Sequence, residues 1–151
     1  MQEKRKKWTK RLGRLALQIV CVTVLYLGIS IGMNGMYLLG VPKAEQVQKV
    51  TVSYPEVSET AKEVTDTEKI KAAVGLTNFL KYRLFTAPEA SDQPEFTMTY
   101  ILENGETVSV GASENTVWWH GKAHALKHEG AFMNLAEGIF YFEEVGNRVG
   151  E

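Results

Sequence analysis

Three histidines, His120, His124 and His128, recur at intervals of four. On one helix that spacing would line up three imidazoles, a donor set for zinc or copper. The surrounding residues argue against such a helix. Gly121 and the adjacent pair Trp118 and Trp119 favour two strands joined by a tight turn. His120 then occupies the turn, His124 a strand and His128 the start of a helix. No HExxH pattern, nearby cysteine or acidic constellation completes a tetrahedral set. Ordinary surface histidines are expected, with a metal site on His120, His124 and His128 as the sharper alternative. No cofactor is expected.

Trp118 and Trp119 are neighbours on an expected strand, so they point to opposite faces. One can enter the core, and the other can offer a stacking surface for sugar or protein. Trp118, Trp119 and His120 are therefore the candidate partner surface. Nucleophilic catalysis has no support, since there is no G-x-S-x-G elbow and the single cysteine, Cys21, lies in an apolar run. Glu143 and Glu144 are adjacent on an expected helix and do not face each other. Phosphate-binding glycine loops are missing too. The expected protein is not an enzyme.

Charge and hydropathy place these residues relative to a membrane. Residues 1–40 carry seven basic side chains and one acid, a net +6, whereas residues 41–151 carry ten and seventeen, a net −7. From Leu15 to Pro42 there is no Asp, Glu, Lys or Arg. A helix rises ~1.5 Å per residue, so this run can cross a hydrocarbon core of ~30 Å. Basic residues flanking a span stay in the cytoplasm, which predicts N-terminus in and C-terminus out. The acidic outer half argues against nucleic acid.

A cleaved signal peptide is the alternative, with Ser30 and Gly32 as a small-x-small site. The apolar run outlasts an ordinary signal core, which favours a retained anchor. Val20 before Cys21 departs from a lipobox. Gly28 and Gly32, four apart, let two helices approach closely and are a candidate homodimer contact. With one cysteine there is no intrachain disulfide, and there is no N-x-[ST] sequon; both suit a bacterial cell surface. The expected partners are the lipid bilayer and an unidentified protein or envelope component.

The expected organisation is a basic cytoplasmic tail (1–14), a transmembrane helix (15–40), a linker with one strand (41–65), and the remainder of an extracytoplasmic domain (66–151). Val50, Val52 and Tyr54 alternate as a strand that Pro55 stops. Thr65 with Glu68, or Asp66 alone, caps a helix whose apolar stripe runs Ile70, Ala73, Val74, Thr77, Leu80, Leu84, widened by Phe79 and Tyr82. Pro88 and Pro94 bracket an acidic loop. Phe96, Met98, Tyr100 and Leu102 alternate up to Asn104-Gly105, a two-residue hairpin turn leading to Val108 and Val110. Strands follow at Thr116–Trp119 and up to Leu126. A last helix starts near Glu129, with Phe132, Leu135, Ala136, Ile139 and Phe142 on one face. The fold class is α+β, with two helices on one face of a small antiparallel sheet in the order β-α-β-β-β-β-α.

The segments KVTVSY, TDTEKIKAAV and PEFTMTYILENGE resemble a loose group of small extracytoplasmic domains of unknown function in Gram-positive bacteria. The resemblance runs over about residues 49–135. Members are lipoproteins or stand behind one membrane helix. The resemblance implies no catalytic residues, and this chain lacks the lipobox cysteine of the lipoprotein members. The leading expectation is a membrane-anchored binding or sensing module. The alternatives are a histidine-dependent metal-binding envelope protein and a small structural subunit of a membrane complex.

Overall fold

In the computed structural model the chain forms two units, Met1–Asn34 and Gly35–Glu151, and residues 2–88, 93–128 and 130–141 are described. Glu129, Phe142, Glu143 and Glu144 lie outside the described residues.

The first unit is one helix, α1 (Gln2–Asn34). Its segment Arg11–Asn34 is long and apolar enough to cross a membrane, a property that a signal sequence near an N-terminus shares. The helix stops at Asn34, short of residue 40. Met36–Tyr37 instead forms strand β1, and Leu38 is buried in the core of the second unit. Gly35 makes the break, with φ at +75°, a conformation that glycine adopts freely.

The second unit is α+β, built on one antiparallel sheet of eight strands. Strands β2 (Val47–Ser53) and β3 (Lys62–Val64) precede helix α2 (Thr67–Phe79). Then come β4 (Lys81–Arg83), β5 (Phe96–Leu102), β6 (Thr107–Ala112), β7 (Thr116–Trp119), β8 (Lys122–Leu126) and helix α3 (Ala131–Phe140). The spatial order is β1-β4-β8-β7-β6-β5-β2-β3. Strands β5 to β8 form a meander. Residues 41–65 contain two strands, of which β2 pairs with both β5 and β3 and buries Val47, Val50 and Val52.

Alternation sends Val50, Val52, Phe96, Met98, Tyr100, Val110 and Val117 to one face, where both helices pack. Phe132 of α3 meets Phe96 edge-to-face at 5.6 Å, and Tyr54 packs edge-on against Phe96 and Tyr141. Asp66 caps α2 by accepting from the Lys69 N–H at 2.9 Å. Lys62 Nζ donates to the Phe140 carbonyl at the end of α3, where a cation offsets the helix dipole. The buried Tyr100 hydroxyl donates to the Ala73 carbonyl at 2.9 Å and lies 2.6 Å from the Thr77 hydroxyl. Having spent its only proton on a carbonyl, it accepts from Thr77.

Several expected details differ. The strand-helix-four-strands-helix order omits β1, β3 and β4. Helix α2 ends at Phe79, and Leu80 is extended (φ −63°, ψ 128°), because residues 81–83 pair with β1 and β8. Leu84 therefore lies off the helix. The β5–β6 loop has three residues, not two. Leu102 N–H bonds the Glu106 carbonyl, and only Gly105 has positive φ, as in a type I turn followed by a left-handed residue. The buried face of α3 is Phe132, Met133, Ala136 and Phe140, while Leu135 is exposed.

Candidate functional site

The tight turn at His120-Gly121 forms as expected, with φ of 48° and 73°. It separates the two tryptophans. Trp119 is buried on the helix-bearing face and its indole Nε1 donates to the Leu39 carbonyl at 2.9 Å. It ties the chain leaving β1 onto the sheet. Trp118 stands half-buried on the opposite face, against Gly111. His120 is exposed and its ring lies 4.4 Å from the Trp119 ring. Trp118 therefore shares no surface with Trp119, since the period of two divides them, and His120 lies with Trp119.

The three histidines occupy three settings. His120 is at the turn. His124, half-buried on β8, packs on the Tyr82 ring at 4.4 Å, and Tyr82 in turn donates to the Met36 sulfur. Burial, and then the nearby Lys122 charge, hold the His124 pKa below its ordinary value. His128 is exposed beyond β8. Among the described residues no group of three His, Cys, Asp or Glu side chains gathers closely enough to hold a metal ion. Gly28 and Gly32 are exposed on α1, with open space where a side chain would project.

A different place in the second unit has the form of a binding site. The C-terminal end of α2 supplies Leu76, Phe79 and Leu80, α3 supplies Ala131, Phe132 and Leu135, and β1, β4 and β8 supply Tyr37, Lys81 and Leu126. His128 completes a groove of about 320 Å³, within the range of small-ligand sites. Leu76, Leu80, Leu126 and Phe132 form its buried floor. Phe79 and Leu135, 79% and 57% exposed, stand at its rim. Lys81 Nζ lies 4.4 Å from the centre of the Tyr37 ring, a cation–π contact that puts a positive charge at the mouth.

Local structure explains the opening. The Leu38 N–H bonds the Leu80 carbonyl, and the Lys127 N–H bonds the Lys81 carbonyl. These bonds turn the chain out of α2 and into the sheet at Leu80, leaving Phe79 facing outwards. At the other wall, Gly130 starts α3 with φ of 69°, and its N–H bonds the Glu114 carbonyl. The helix thus stands beside α2 without closing over its last turn. A helix advances about 100° per residue, so Phe79 falls ~180° from Ile70. That angle marks Phe79 as lying off the buried stripe.

Comparison with family models, with curated proteins and with solved structures finds no match to the chain.

Proposed function

We infer that this chain is a membrane-anchored, non-catalytic binding or sensing module, its second unit outside the cytoplasm, of the kind its Gram-positive resemblance suggests. The apolar helix and the basic residues before it support the anchor and its orientation. The groove between α2 and α3 carries the binding role. Its floor and rim are apolar, and Tyr37, Lys81 and His128 are its polar groups among the described residues. That set suits an apolar chain ending in an anionic group, with the chain against Phe132 and the anion at Lys81. It does not suit nucleophilic chemistry, which needs an activated nucleophile.

Dodecanoate is a direct probe. Titrated into the full chain in detergent-free nanodiscs, it should move the NMR signals of Leu76, Phe79, Phe132 and Leu135 together. Phe79→Asp should weaken that binding at least tenfold, because a carboxylate would stand in the apolar rim and repel the anion. Equal binding by the variant, or signal changes confined to α1, would remove the groove from the function.

A further inference from the structure

Two asparagines of the chain precede a glycine, Asn34 and Asn104. Asparagine is among the chemically labile residues. Before glycine it is exposed to attack by the next main-chain nitrogen on its side-chain amide carbon, because no Cβ on the following residue obstructs the approach. The two pairs share that sequence chemistry, and the fold holds them in opposite ways.

Asn34 ends α1. A helical side chain points back towards the helix N-terminus. The Asn34 amide does so, with Nδ2 donating to the Ser30 Oγ at 3.3 Å. Its amide carbon is thus drawn away from the Gly35 nitrogen. Gly35 is also confined, since a Cβ on it would come within 2.9 Å of the Tyr82 carbonyl oxygen.

Asn104 occupies the exposed β5–β6 turn. Its Oδ1 accepts from the Glu106 N–H at 2.9 Å, so the side chain reaches forwards past Gly105. The amide carbon is therefore held on the side of the Gly105 nitrogen. The Glu106 N–H also stands where negative charge would collect during attack, the position of an oxyanion donor. Nothing lies within 4 Å of the place where a Gly105 side chain would project, so that peptide is free to turn. One contact opposes the reaction. The Gly105 N–H donates to the Leu102 carbonyl at 2.9 Å, and that bond must open. Gly105 is exposed, so water replaces the bond at small net cost.

We propose that Asn104 is a self-modification site, converted through a cyclic imide to aspartate and isoaspartate with water as co-reactant. The Gly105 nitrogen bonds to the Asn104 Cγ, the Cγ–Nδ2 bond breaks, and ammonia leaves with the proton from Gly105. One water molecule then opens the ring and returns a hydrogen to the Gly105 nitrogen. Addition at Cγ gives aspartate. Addition at the main-chain carbonyl carbon gives isoaspartate, in which Gly105 is joined through Cγ. Either product places a carboxylate between Glu103 and Glu106. Isoaspartate also lengthens the turn that the Leu102 N–H and the Glu106 carbonyl close. The turn gains charge as the protein ages.

For the test, the full chain in detergent is held at pH 8 and 37 °C, sampled over days and digested for mass spectrometry. Free octapeptides with the sequences of residues 31–38 and 101–108 are held alongside. In the folded chain Asn104 should convert at least about tenfold faster than Asn34, whereas the two peptides should differ by no more than about threefold. Fragmentation beside Cβ should show isoaspartate at position 104 together with aspartate. Asn104→Gln should stay unmodified, since its longer side chain needs a larger and slower ring. Equal rates at the two sites of the folded chain would overturn the proposal, and so would a peptide pair as unequal as the folded sites. An unaltered Asn104 would overturn it too, as would aspartate free of isoaspartate, the mark of direct hydrolysis.

Discussion

Tyr100→Phe tests how the helix layer is fastened to the sheet. Tyr100 is wholly buried, and its hydroxyl bridges the Ala73 carbonyl and the Thr77 hydroxyl on α2. Removing the oxygen forfeits two hydrogen bonds, each worth ~0.5–1.5 kcal/mol net. The loss is reduced because Thr77 can turn its hydroxyl to the Ala73 carbonyl four residues back, a bond helical threonines readily make. The expected cost is therefore about 1–1.5 kcal/mol rather than the ~1–3 kcal/mol of an orphaned buried group. That corresponds to a fall in Tm of roughly 4–6 °C for a domain of this size. Thr77→Val alone should cost about 0.5–1 kcal/mol, since Tyr100 keeps its bond to Ala73. In the Tyr100→Phe background the same change removes only the weaker fallback bond to the Ala73 carbonyl, so it should cost less than it does alone, and the coupling should be at most about 0.5 kcal/mol. Near-UV circular dichroism of the full chain in detergent, heated through its transition, reads all four members of the cycle. Strictly additive losses would refute the shared bond, and so would an unchanged Tm for Tyr100→Phe. A second readout is spectroscopic. Burial raises the Tyr100 pKa well above its ordinary value, as it does that of Tyr54, so Tyr100→Phe should lower by one the number of tyrosines that ionise at alkaline pH only on unfolding.

Three further outcomes are expected. His124 has a depressed pKa in the fold, so the unfolded chain takes up its proton first as pH falls. Its contribution is complete above the unfolded value of ~6.5 and declines below it. Tm measured from pH 8 to pH 5 should therefore fall less in His124→Phe, which keeps a ring against Tyr82, and identical slopes would rule the histidine out. Gly111→Ala should destabilise by about 1–3 kcal/mol, because the new methyl would sit 2.7 Å and 2.8 Å from the Pro94 Cβ and Cγ; Pro94→Gly should restore most of the loss in urea unfolding. An impermeant thiol reagent should label Glu106→Cys, in a Cys21→Ser background, on intact cells and in full-length membrane-bound protein. Labelling only after lysis would reverse the topology, and a shortened labelled product in the medium would show cleavage. Ser113, 3% exposed, is too buried to serve as that label site.

Much of the sheet was legible because β5 and β6 are long enough for alternation to show, and the His120-Gly121 turn carries its own residue signal. The cap at Asp66 was legible for the same reason. Strands β1 and β4, of two and three residues, are too short to display a period. They exist through pairing with each other and with β8. Their absence from the sequence reading carried two errors with it. The apolar run was read as span through residue 40, although Leu38 packs in the domain. Helix α2 was extended to Leu84, although Leu80 turns into the sheet.

Those same two short strands make one wall of the groove, which is why it was not visible beforehand. Periodicity reports which side chains share a face of one element. It does not report whether another element covers that face. Phe79 and Leu135 read as parts of buried helical stripes, although the ~180° offset from Ile70 already sets Phe79 apart; the turn at Leu80 and the placement of α3 beside α2 leave both at an open rim. In both places the local signal was an apolar residue without a stated partner. A tryptophan pair in a strand draws attention by its rarity, yet here Trp119 is committed to the Leu39 carbonyl and the core. The chemistry most open to a ligand lies instead with side chains that look ordinary in sequence and are left uncovered by how two short strands join the sheet.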